Sequence, residues 1–491
     1  MPVKDPFPGR LAEAPRPLAE CVSMFLSPLI VYGGQPTPVP RLPEGVMATT
    51  IVNARVFDGE NMRPWTSVRF EGGIITHCTE QPAVMLGDEV VDADGGTLLP
   101  GLIDAHIHLV PGALEQSLTF GVTTVLEMFS KPETVAAAKD RATRSGAADV
   151  RSSGIGATAP GGHPSLMYAP FPTVTGPEQA AVFVADRIAE GADYLKVIAE
   201  SGVSGAFTRP SLDAATIAAL TAEAHVRGLR VVAHATSATA VADVAAAGVD
   251  VIAHIPVREK LDGALVIRLA ETGAAVCPTL ATLENTLGER GDSAVANDPA
   301  LGPHLGSAWV ERLTVNRSWD RREMMPPYAR AEHNVARLIA AGVCLLAGAD
   351  APIPSTVCGA SLHRELELLV RCGLTPSQAL TAATAGPARI FGLTDRGRIA
   401  IDHNADLVLV AGDPLTDITA TRSITKIWRA GTACDRHAFP GRSGYGTTNV
   451  VSASIASQII RSLVAATAPV PRSVLTMLMR HLVACIERPA A

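Results

Sequence analysis

From residue 98 to residue 349, short apolar runs alternate with longer alanine-rich stretches in which apolar residues recur every three or four positions. The short runs are typical of buried strands, and the longer stretches are typical of helices with one buried face. The pattern predicts strands at 98–109, 121–127, 150–158, 194–199, 230–235, 251–255, 274–280 and 343–349, and helices at 177–190, 211–227, 237–247 and 261–272. Strands that alternate with helices in this way predict an α/β fold, a (β/α)8 TIM-type barrel.

Short β-type runs punctuated by glycines lie on both sides of this middle region. They occupy residues 49–92 before it, and they return between residues 397 and 428 after it. The two flanks predict one small β-sandwich domain, composed of residues 47–97 plus 396–437. The barrel domain then spans residues 98–395.

Three further segments have their own patterns. Residues 1–46 are rich in proline and lack a lasting period, so we expect a poorly ordered leader. Residues 281–329 form a long, charged connection, which we expect to act as a lid over one end of the barrel. Residues 438–491 begin with glycine and serine and continue with two short amphipathic helical patterns.

The amino-acid composition of the chain limits the kinds of partner that we expect it to bind. The chain has 491 residues, of which 47% are hydrophobic and only 4% aromatic, and its formal net charge is −7. This charge argues against a nucleic-acid partner, and the chain has no apolar run long enough for a membrane span. The eight cysteines are scattered without a C-x-x-C pair, which is typical of reduced thiols. We therefore expect a cytoplasmic homo-oligomer that acts on a small-molecule substrate.

The first predicted barrel strand ends with two histidines one residue apart, His106 and His108. Alternate residues of a strand share a face, so the two imidazoles are expected to project together. Such a pair can bind a divalent metal ion. Taken alone, such a pair is more often part of a half-buried strand whose histidines are satisfied by hydrogen bonds.

Other ligand-type residues lie within or at the ends of later predicted strands. Lys196 lies inside the fourth strand, where an unpaired ammonium is costly to bury, and Asp350 follows the eighth. His234 and His254 end the fifth and sixth strands. In a barrel the carboxyl ends of all strands converge on one face, so these residues are expected to meet His106 and His108 there.

A glycine-rich loop after the third strand adds a candidate for substrate binding on the same face. It reads Ala159-Pro160-Gly161-Gly162-His163-Pro164. Glycines leave room for a ligand near the backbone, and His163 is placed to hydrogen-bond the carbonyl or carboxylate of a substrate. Tyr168 is a weaker candidate, since it equally fits plain packing. The alternative for His163 is a loop histidine in contact with solvent.

The order His-x-His, Lys, His, His, Asp along the barrel strands resembles the amidohydrolase superfamily of metal-dependent hydrolases. The opening run Leu98 to His108 is similar to that superfamily, as is the closing run from Leu374 to Val408. The resemblance covers residues 49–435. Within the superfamily it is strongest to the imidazolonepropionase-like and Xaa-Pro-dipeptidase-like groups, which carry the barrel together with the β-sandwich.

The resemblance implies a binuclear centre with two divalent metal ions, most often zinc. His106 and His108 would hold one ion with Asp350, and His234 and His254 would hold the other. Lys196, carboxylated by CO2, would bridge both ions. Asp350 would take the proton of the attacking water and pass it to the leaving nitrogen.

The main interpretation is an amidohydrolase that cleaves an amide, peptide or cyclic-amide C–N bond through a metal-bridging hydroxide. One alternative keeps the site but acts on an ester, lactone or phosphotriester. A second is a non-catalytic relative that serves as a scaffold, and a third is a one-metal site in which His254 contacts the substrate. Remaining polar residues are expected to be structural, including His363 and a solvated helix face formed by Arg364, Glu365 and Glu367.

Overall fold

The computed structural model describes residues 47–436, except residues 145, 201–202, 205–206, 209, 288–290, 315–326 and 354–355. The expected leader at 1–46 and the helical patterns at 438–491 lie outside the described residues. Among the helices that are described, none has the length and apolar character needed to cross a membrane.

The strands are β1 (Thr49–Val52), β2 (Arg55–Phe57), β3 (Met62–Arg63), β4 (Ser67–Glu71), β5 (Ile74–Thr79), β6 (Glu89–Asp92), β7 (Thr97–Pro100), β8 (Leu102–Ile107), β9 (Val122–Glu127), β10 (Asp149–Ser152), β11 (Leu195–Ala199), β12 (Val203–Ser204), β13 (Phe207–Thr208), β14 (Val231–Ala235), β15 (Val251–Ala253), β16 (Ala275–Cys277), β17 (Leu407–Val410), β18 (Ile424–Arg429) and β19 (Thr432–Ala433).

The helices are α1 (Ala113–Thr119), α2 (Pro132–Ala142), α3 (Ser165–Tyr168), α4 (Ala180–Ala189), α5 (Ala214–Val226), α6 (Ala238–Ala246), α7 (Gly263–Thr272), α8 (Leu280–Thr286), α9 (Gly291–Ala296), α10 (Ser307–Thr314), α11 (Ala329–Ala340), α12 (Ala360–Arg371), α13 (Pro376–Ala382) and α14 (Ala385–Ile390). Short 3-10 turns occupy Pro177–Gln179, Gly302–His304 and Ile418–Arg422.

The flanks of the described chain form two sheets, of which the six-stranded one combines strands from both flanks. One sheet has the order β5-β4-β1-β6, and the other has the order β19-β18-β17-β7-β2-β3. Buried side chains of the two sheets, including Ile51, Val56, Leu407 and Trp428, share one hydrophobic core. Phe70 and Trp428 pack edge to face in this core, with ring centroids 5.9 Å apart.

The middle of the chain forms parallel sheets in the orders β10-β9-β8 and β11-β14-β15-β16. Single parallel bridges extend the pairing between them: Ala157 pairs with Val197, and Leu345 pairs with Val276. Ala351 in turn pairs with Ile107 of β8. The chain therefore has an α/β fold with a TIM-barrel-like domain. Residues 343–349, predicted as the eighth strand, pair through the single bridge of Leu345 rather than as a regular strand.

The predicted strand at 98–109 is wrong as a single element. It is divided at Gly101 into β7, which pairs with β17 and β2, and β8, which pairs with β9. A Cβ at Gly101 would lie only 2.1 Å from Thr123 Oγ1. The chain can thus leave one sheet and enter the next at this point only because the residue has no side chain.

The helices between the parallel strands begin at residues that cap them. Asp213, Ser237 and Asp262 accept hydrogen bonds from the backbone N–H groups in the first turns of α5, α6 and α7. These helices agree with the predictions at 211–227, 237–247 and 261–272. The predicted helix at 177–190 is a 3-10 turn followed by α4.

The region predicted as a lid contains short helices in its described part. Val295, Leu301 and Leu313 of this region are buried with Phe120 and Val357 in one apolar cluster. This region therefore packs against the rest of the fold at several points before residue 315.

Candidate metal centre

Two histidines converge with Asp350 at the carboxyl end of β8. His106 is the second-last residue of that strand, and His108 directly follows the strand. Their Nε2 atoms lie 3.4 Å and 3.2 Å from the same carboxylate oxygen, Asp350 Oδ1. The backbone N–H of Asp350 donates to the carbonyl oxygen of His106 at 2.8 Å, which fixes the two chain segments side by side.

His254 and His234 complete a continuous group of imidazole rings. The ring centroids of His106 and His254 are 5.0 Å apart, and those of His254 and His234 are 4.5 Å apart. One ligand atom from each of His106, His254 and Asp350 lies within 4.8 Å of the others. His254 and Asp350 both have a positive φ, at 73° and 51°, which is uncommon for non-glycine residues and concentrates at functional sites.

Two of the histidines at this site, His106 and His254, are buried in surroundings that favour the neutral form. Burial lowers the pKa of His106 well below its usual value, and the neighbouring charge of Lys196 lowers it further. Burial also lowers the pKa of His254, with contributions from His234 and Lys196. A neutral imidazole keeps one ring nitrogen free to act as a metal ligand.

Lys196 lies in β11, two residues before the position that pairs with His234. Its side chain is 2% exposed, and within the described structure Nζ has no hydrogen-bond partner. Burial lowers the pKa of this amine to about 8, against an opposing effect of Asp350. A buried, unpaired polar atom costs about 1–3 kcal/mol, so the position favours a further partner.

The residues present fit divalent metal ions. The site supplies imidazole nitrogens and a carboxylate, which are the ligands that zinc and similar ions prefer. Several of its buried polar atoms have no hydrogen-bond partner among the described residues: His106 Nδ1, His108 Nδ1, Lys196 Nζ and Asp350 Oδ1. A cation at this point would provide the interaction that Asp350 Oδ1 lacks.

Asp104 connects the two chain segments that carry His106 and Asp350. Its Oδ1 accepts hydrogen bonds from the backbone N–H groups of His106 at 3.1 Å and Ala349 at 3.0 Å. Burial raises the pKa of this carboxyl group to about 7, although both hydrogen bonds act against the rise. Asp104 lies within the run Leu98 to His108, but the sequence does not show that it holds the two segments together.

Glu200 is a residue of this site that sequence reasoning missed. It directly follows β11, and its Oε2 lies 2.5 Å from His234 Nε2. Its Oε1 accepts a hydrogen bond from the hydroxyl of Thr236 at 3.0 Å. Burial acts to raise the pKa of Glu200, but the contacts with His234 and Thr236 lower it to about 2. The sequence does contain a feature that points to Glu200: it directly follows a predicted barrel strand, as the other site residues do.

Thr279 is a second missed residue, at the N-terminus of α8. Its hydroxyl lies 2.8 Å from His254 Nδ1. The next two backbone N–H groups, of Leu280 and Ala281, donate to the carboxylate of Glu365 at 3.0 Å and 2.7 Å. The prediction that Glu365 lies on a solvated helix face is wrong, because Glu365 is 0% exposed.

His163 reaches the site from the loop after β10. Its ring stacks on that of His234 with a centroid distance of 4.8 Å. Tyr168 lies farther from the histidines. Its ring centroid is 6.4 Å from that of His108 and 5.0 Å from that of Phe129. Burial raises the pKa of the Tyr168 phenol, so the hydroxyl stays protonated.

All the predicted site residues therefore lie in one connected region. Short distances and ring contacts join His106, His108, His163, His234, His254 and Asp350, and the charge of Lys196 acts on the pKa values of His106 and His254. His363 is expected to be structural, and its partners agree with that role. It is buried between the Thr421 hydroxyl and the carbonyl oxygen of Phe120.

The chain is similar in sequence to a known protein family. A sequence profile described as "Amidohydrolase family" matches residues 97–434. An uncharacterized protein of Mycobacterium tuberculosis is 28% identical over 347 residues, which are 65% of this chain and 80% of that protein. The imidazolonepropionase of Deinococcus deserti is 39% identical over 101 residues, covering 20% of this chain and 25% of that enzyme.

Among solved structures, a Xaa-Pro dipeptidase with bound methionine has a similar fold. Its TM-score is 0.62 at 21% identity, and the match covers 79% of this chain and 100% of that one. The resemblance predicted from the strand-end residues is therefore confirmed.

Proposed function

The chain belongs to the amidohydrolase family and is a hydrolase of carbon–nitrogen bonds, and from that premise we propose that it cleaves an amide, peptide or cyclic-amide bond of a small molecule with the help of bound metal ions. The observation that carries the proposal is the convergence of His106, His254 and Asp350, whose ligand atoms lie within 4.8 Å of one another. We further propose that the bridged parallel sheets form a closed (β/α)8 barrel and that the flanking sheets form one β-sandwich.

We propose that the centre holds two ions, with zinc as the first candidate. His106, His108 and Asp350 would hold one, and His234 and His254 the other. Divalent ions at these positions would polarise the scissile carbonyl group and make a water molecule acidic enough to attack it. The assignment is supported by the buried polar atoms that lack partners among the described residues.

Lys196 is proposed to carry a carboxylate formed with CO2. The lowered pKa of its amine, about 8, leaves part of the amine neutral near physiological pH, which is the nucleophilic form. Addition of the amine nitrogen to CO2 forms a C–N bond and releases one proton, and the product is an anion. This change would replace an unpaired buried ammonium with a group that has two oxygens for the cations.

Asp350 is proposed to move the proton in the reaction. Its Oδ1 faces the site and has no hydrogen-bond partner among the described atoms, so it is available to accept a proton from the attacking water. The same carboxyl group can then deliver the proton to the leaving nitrogen. His163, stacked on His234, is placed to donate a hydrogen bond to the substrate.

The test is metal removal and reconstitution. The protein as purified is analysed for bound metal, dialysed against a chelator, and assayed on N-acyl amino acids, dipeptides and cyclic amides beside p-nitrophenyl esters and phosphotriesters. We expect amide hydrolysis that disappears with the metal and returns with zinc, manganese or cobalt. Cleavage of the esters alone would favour the esterase alternative, and absence of bound metal would favour a scaffold. Cytoplasmic location and homo-oligomerisation stay predictions.

A further inference from the structure

The start of α8 contacts both halves of the proposed metal centre. Thr279, which immediately precedes the helix, places its hydroxyl oxygen 2.8 Å from His254 Nδ1. Thr282, in the first turn, donates from its hydroxyl to the carbonyl oxygen of Ala349 at 2.8 Å, and its Oγ1 lies 3.4 Å from the carbonyl oxygen of Asp350. One short segment therefore contacts the ring of one proposed ligand and the backbone of another.

Three residues with a positive φ belong to this arrangement. The values are 52° for Thr279, 73° for His254 and 51° for Asp350. Residues other than glycine keep this conformation only where surrounding contacts hold them in it. The two hydroxyl contacts supply such a restraint for His254 and Asp350, and the conformation of Thr279 depends in turn on what fixes the start of α8.

Glu365 of α12 fixes the start of α8. Its two carboxylate oxygens accept hydrogen bonds from the backbone N–H groups of Leu280 at 3.0 Å and Ala281 at 2.7 Å, the first two residues of the helix. Glu365 is 0% exposed, and within the described part of the chain it forms no hydrogen bond or ion pair with a proposed metal ligand. Its influence on the site therefore acts through α8.

A second link joins the same two helices. Arg364 of α12 donates from Nε and Nη2 to the two carboxylate oxygens of Glu284 in α8, at 3.0 Å and 2.7 Å. The two side chains are only 13% and 5% exposed. Because a bidentate pair fixes geometry as well as distance, α8 is attached to α12 at two points along its length. The start of α8 is thus held in one place relative to the metal centre.

We propose that Glu365 is a positioning residue for the metal centre, which sets the orientation of His254 and the placement of Asp350 through the start of α8. The inference rests on the metal centre of the proposed function and assigns a role in it to a buried acid outside the ligand set. Because His254 and Asp350 are assigned to different ions, loss of Glu365 should weaken the binding of both ions.

The experiment compares Glu365→Gln with the full-length wild-type chain. Glutamine has nearly the same size but can accept with only one of its two terminal atoms, so one backbone N–H at the start of α8 loses its acceptor. Asp88→Asn is the matched control. Asp88 is also a buried carboxylate that accepts from a backbone N–H, that of Met85, but it lies in the flanking sheets and its side chain pairs with Arg69.

The quantity measured is the dissociation constant of zinc for the metal-depleted proteins, obtained with a competing chelator at a temperature where each protein is fully folded. Under that condition a loss of global stability alone does not change the affinity. We expect Glu365→Gln to raise the dissociation constants of both ions by about tenfold or more, as losses of outer contacts at metal sites do. Asp88→Asn should bind zinc as the wild type does, even if its thermal midpoint falls.

A double-mutant cycle tests the route through α8. Thr279→Val removes the hydroxyl contact with His254, so the helix start can no longer orient that ring through it. If Glu365 acts through Thr279, the double variant should raise the dissociation constant by less than the product of the two single effects. A double effect equal to that product would show that Glu365 acts by another route and would overturn the inference.

The remaining outcomes separate this inference from the proposed function. If the wild type binds no zinc, the proposed metal centre itself fails. If the wild type binds zinc and Glu365→Gln binds it equally tightly, or Asp88→Asn loses as much affinity, then Glu365 has only a structural role and the inference is overturned. Should Glu365→Gln fail to fold, Thr282→Val decides, because it removes only the hydroxyl donor to Ala349. A weakened zinc affinity of that variant supports the inference, and an unchanged one overturns it.

Discussion

The hydroxyl oxygen of Thr279 lies 2.8 Å from Nδ1 of His254, and this contact leaves Nε2 as the ring nitrogen available to the metal centre. Thr279 is the residue before α8 and has a φ of 52°, in the left-handed region. A β-branched residue rarely adopts that conformation unless its surroundings hold it there. The orientation of a metal-binding histidine thus depends on the start of a helix from a different part of the chain.

Thr279→Val should weaken metal binding without unfolding the protein. Valine has nearly the shape of threonine but cannot hydrogen-bond His254, and loss of such outer contacts typically costs 10- to 100-fold in metal affinity or activity. The dissociation constant of zinc, measured with a competing chelator, tests this. Thr279→Ser keeps the hydroxyl and should restore most of the affinity. Equal affinities for the two variants would show that the contact has no role.

Glu365→Gln should destabilise the N-terminus of α8. The buried carboxylate accepts two backbone N–H groups there, and glutamine can accept with only one of its two terminal atoms. Leaving one buried N–H without an acceptor costs about 1–3 kcal/mol in the free energy of unfolding. Glu271→Gln on α7 is the control, because Glu271 is exposed and should change stability by less than about 0.5 kcal/mol. Denaturant unfolding of both variants decides between these expectations.

The sequence predicts the α/β class and the approximate places of the strands because apolar runs and helical periods are local properties. It does not show where one run divides between two sheets. Leu98 and Ile103 look alike in an apolar run, yet they lie in different hydrophobic clusters. The division at Gly101 depends on the approach of Thr123 from β9, which is a tertiary contact.

The site is predictable to a similar extent. Residues at strand ends converge in any parallel barrel, so the positions of His234 and His254 already indicate the site. Their partners Glu200 and Thr279 come from loops, and a glutamate or threonine after a strand is ordinary in a sequence. Glu365 was misassigned because a charged residue beside Arg364 on a helix normally faces solvent; only the packing of α8 against α12 explains its burial.

Gly348→Ala should destabilise the protein and disturb the metal centre together. A Cβ there would lie 2.6 Å from Cys277 Sγ and 2.8 Å from the backbone nitrogen of His106. Overpacking of this kind costs about 1–3 kcal/mol, and relief requires movement of the segment that carries His106. Gly342→Ala is the comparison, because a Cβ there meets nothing within 4 Å, and its φ of +77° puts the whole cost into local backbone strain. We expect a lower thermal midpoint for both variants, and loss of bound metal only for Gly348→Ala.

Acid should destabilise the flanking sheets partly through Asp88. Burial acts to raise the pKa of this carboxyl group, but hydrogen bonds from Thr50 and Arg69 lower it from 3.8 to about 2. Because the folded-state pKa is below the unfolded value, the stabilisation is present above pH 3.8 and is lost as the pH falls toward 2. Asp88→Asn should therefore reduce the loss of unfolding free energy between pH 5 and pH 2. An unchanged pH dependence would contradict this assignment.

Lys196→Met should abolish turnover while leaving the fold intact. Methionine has a similar length and no charge, so it removes the buried amine that lacks a hydrogen-bond partner among the described residues. If the carboxylated lysine bridges two ions, the variant should lose much of its bound metal, and kcat should fall by several orders of magnitude. Compared with the wild type after both proteins are stripped of metal, its thermal midpoint should stay equal or rise, since an unpaired buried polar group has been removed. Lys139→Met, which breaks a partly exposed ion pair with Asp193, is the control and should keep both metal and activity. A Lys196→Met protein that retains two ions and the wild-type rate would show that Lys196 is not the bridge, and the metal ions would then be held by the histidines and Asp350 alone.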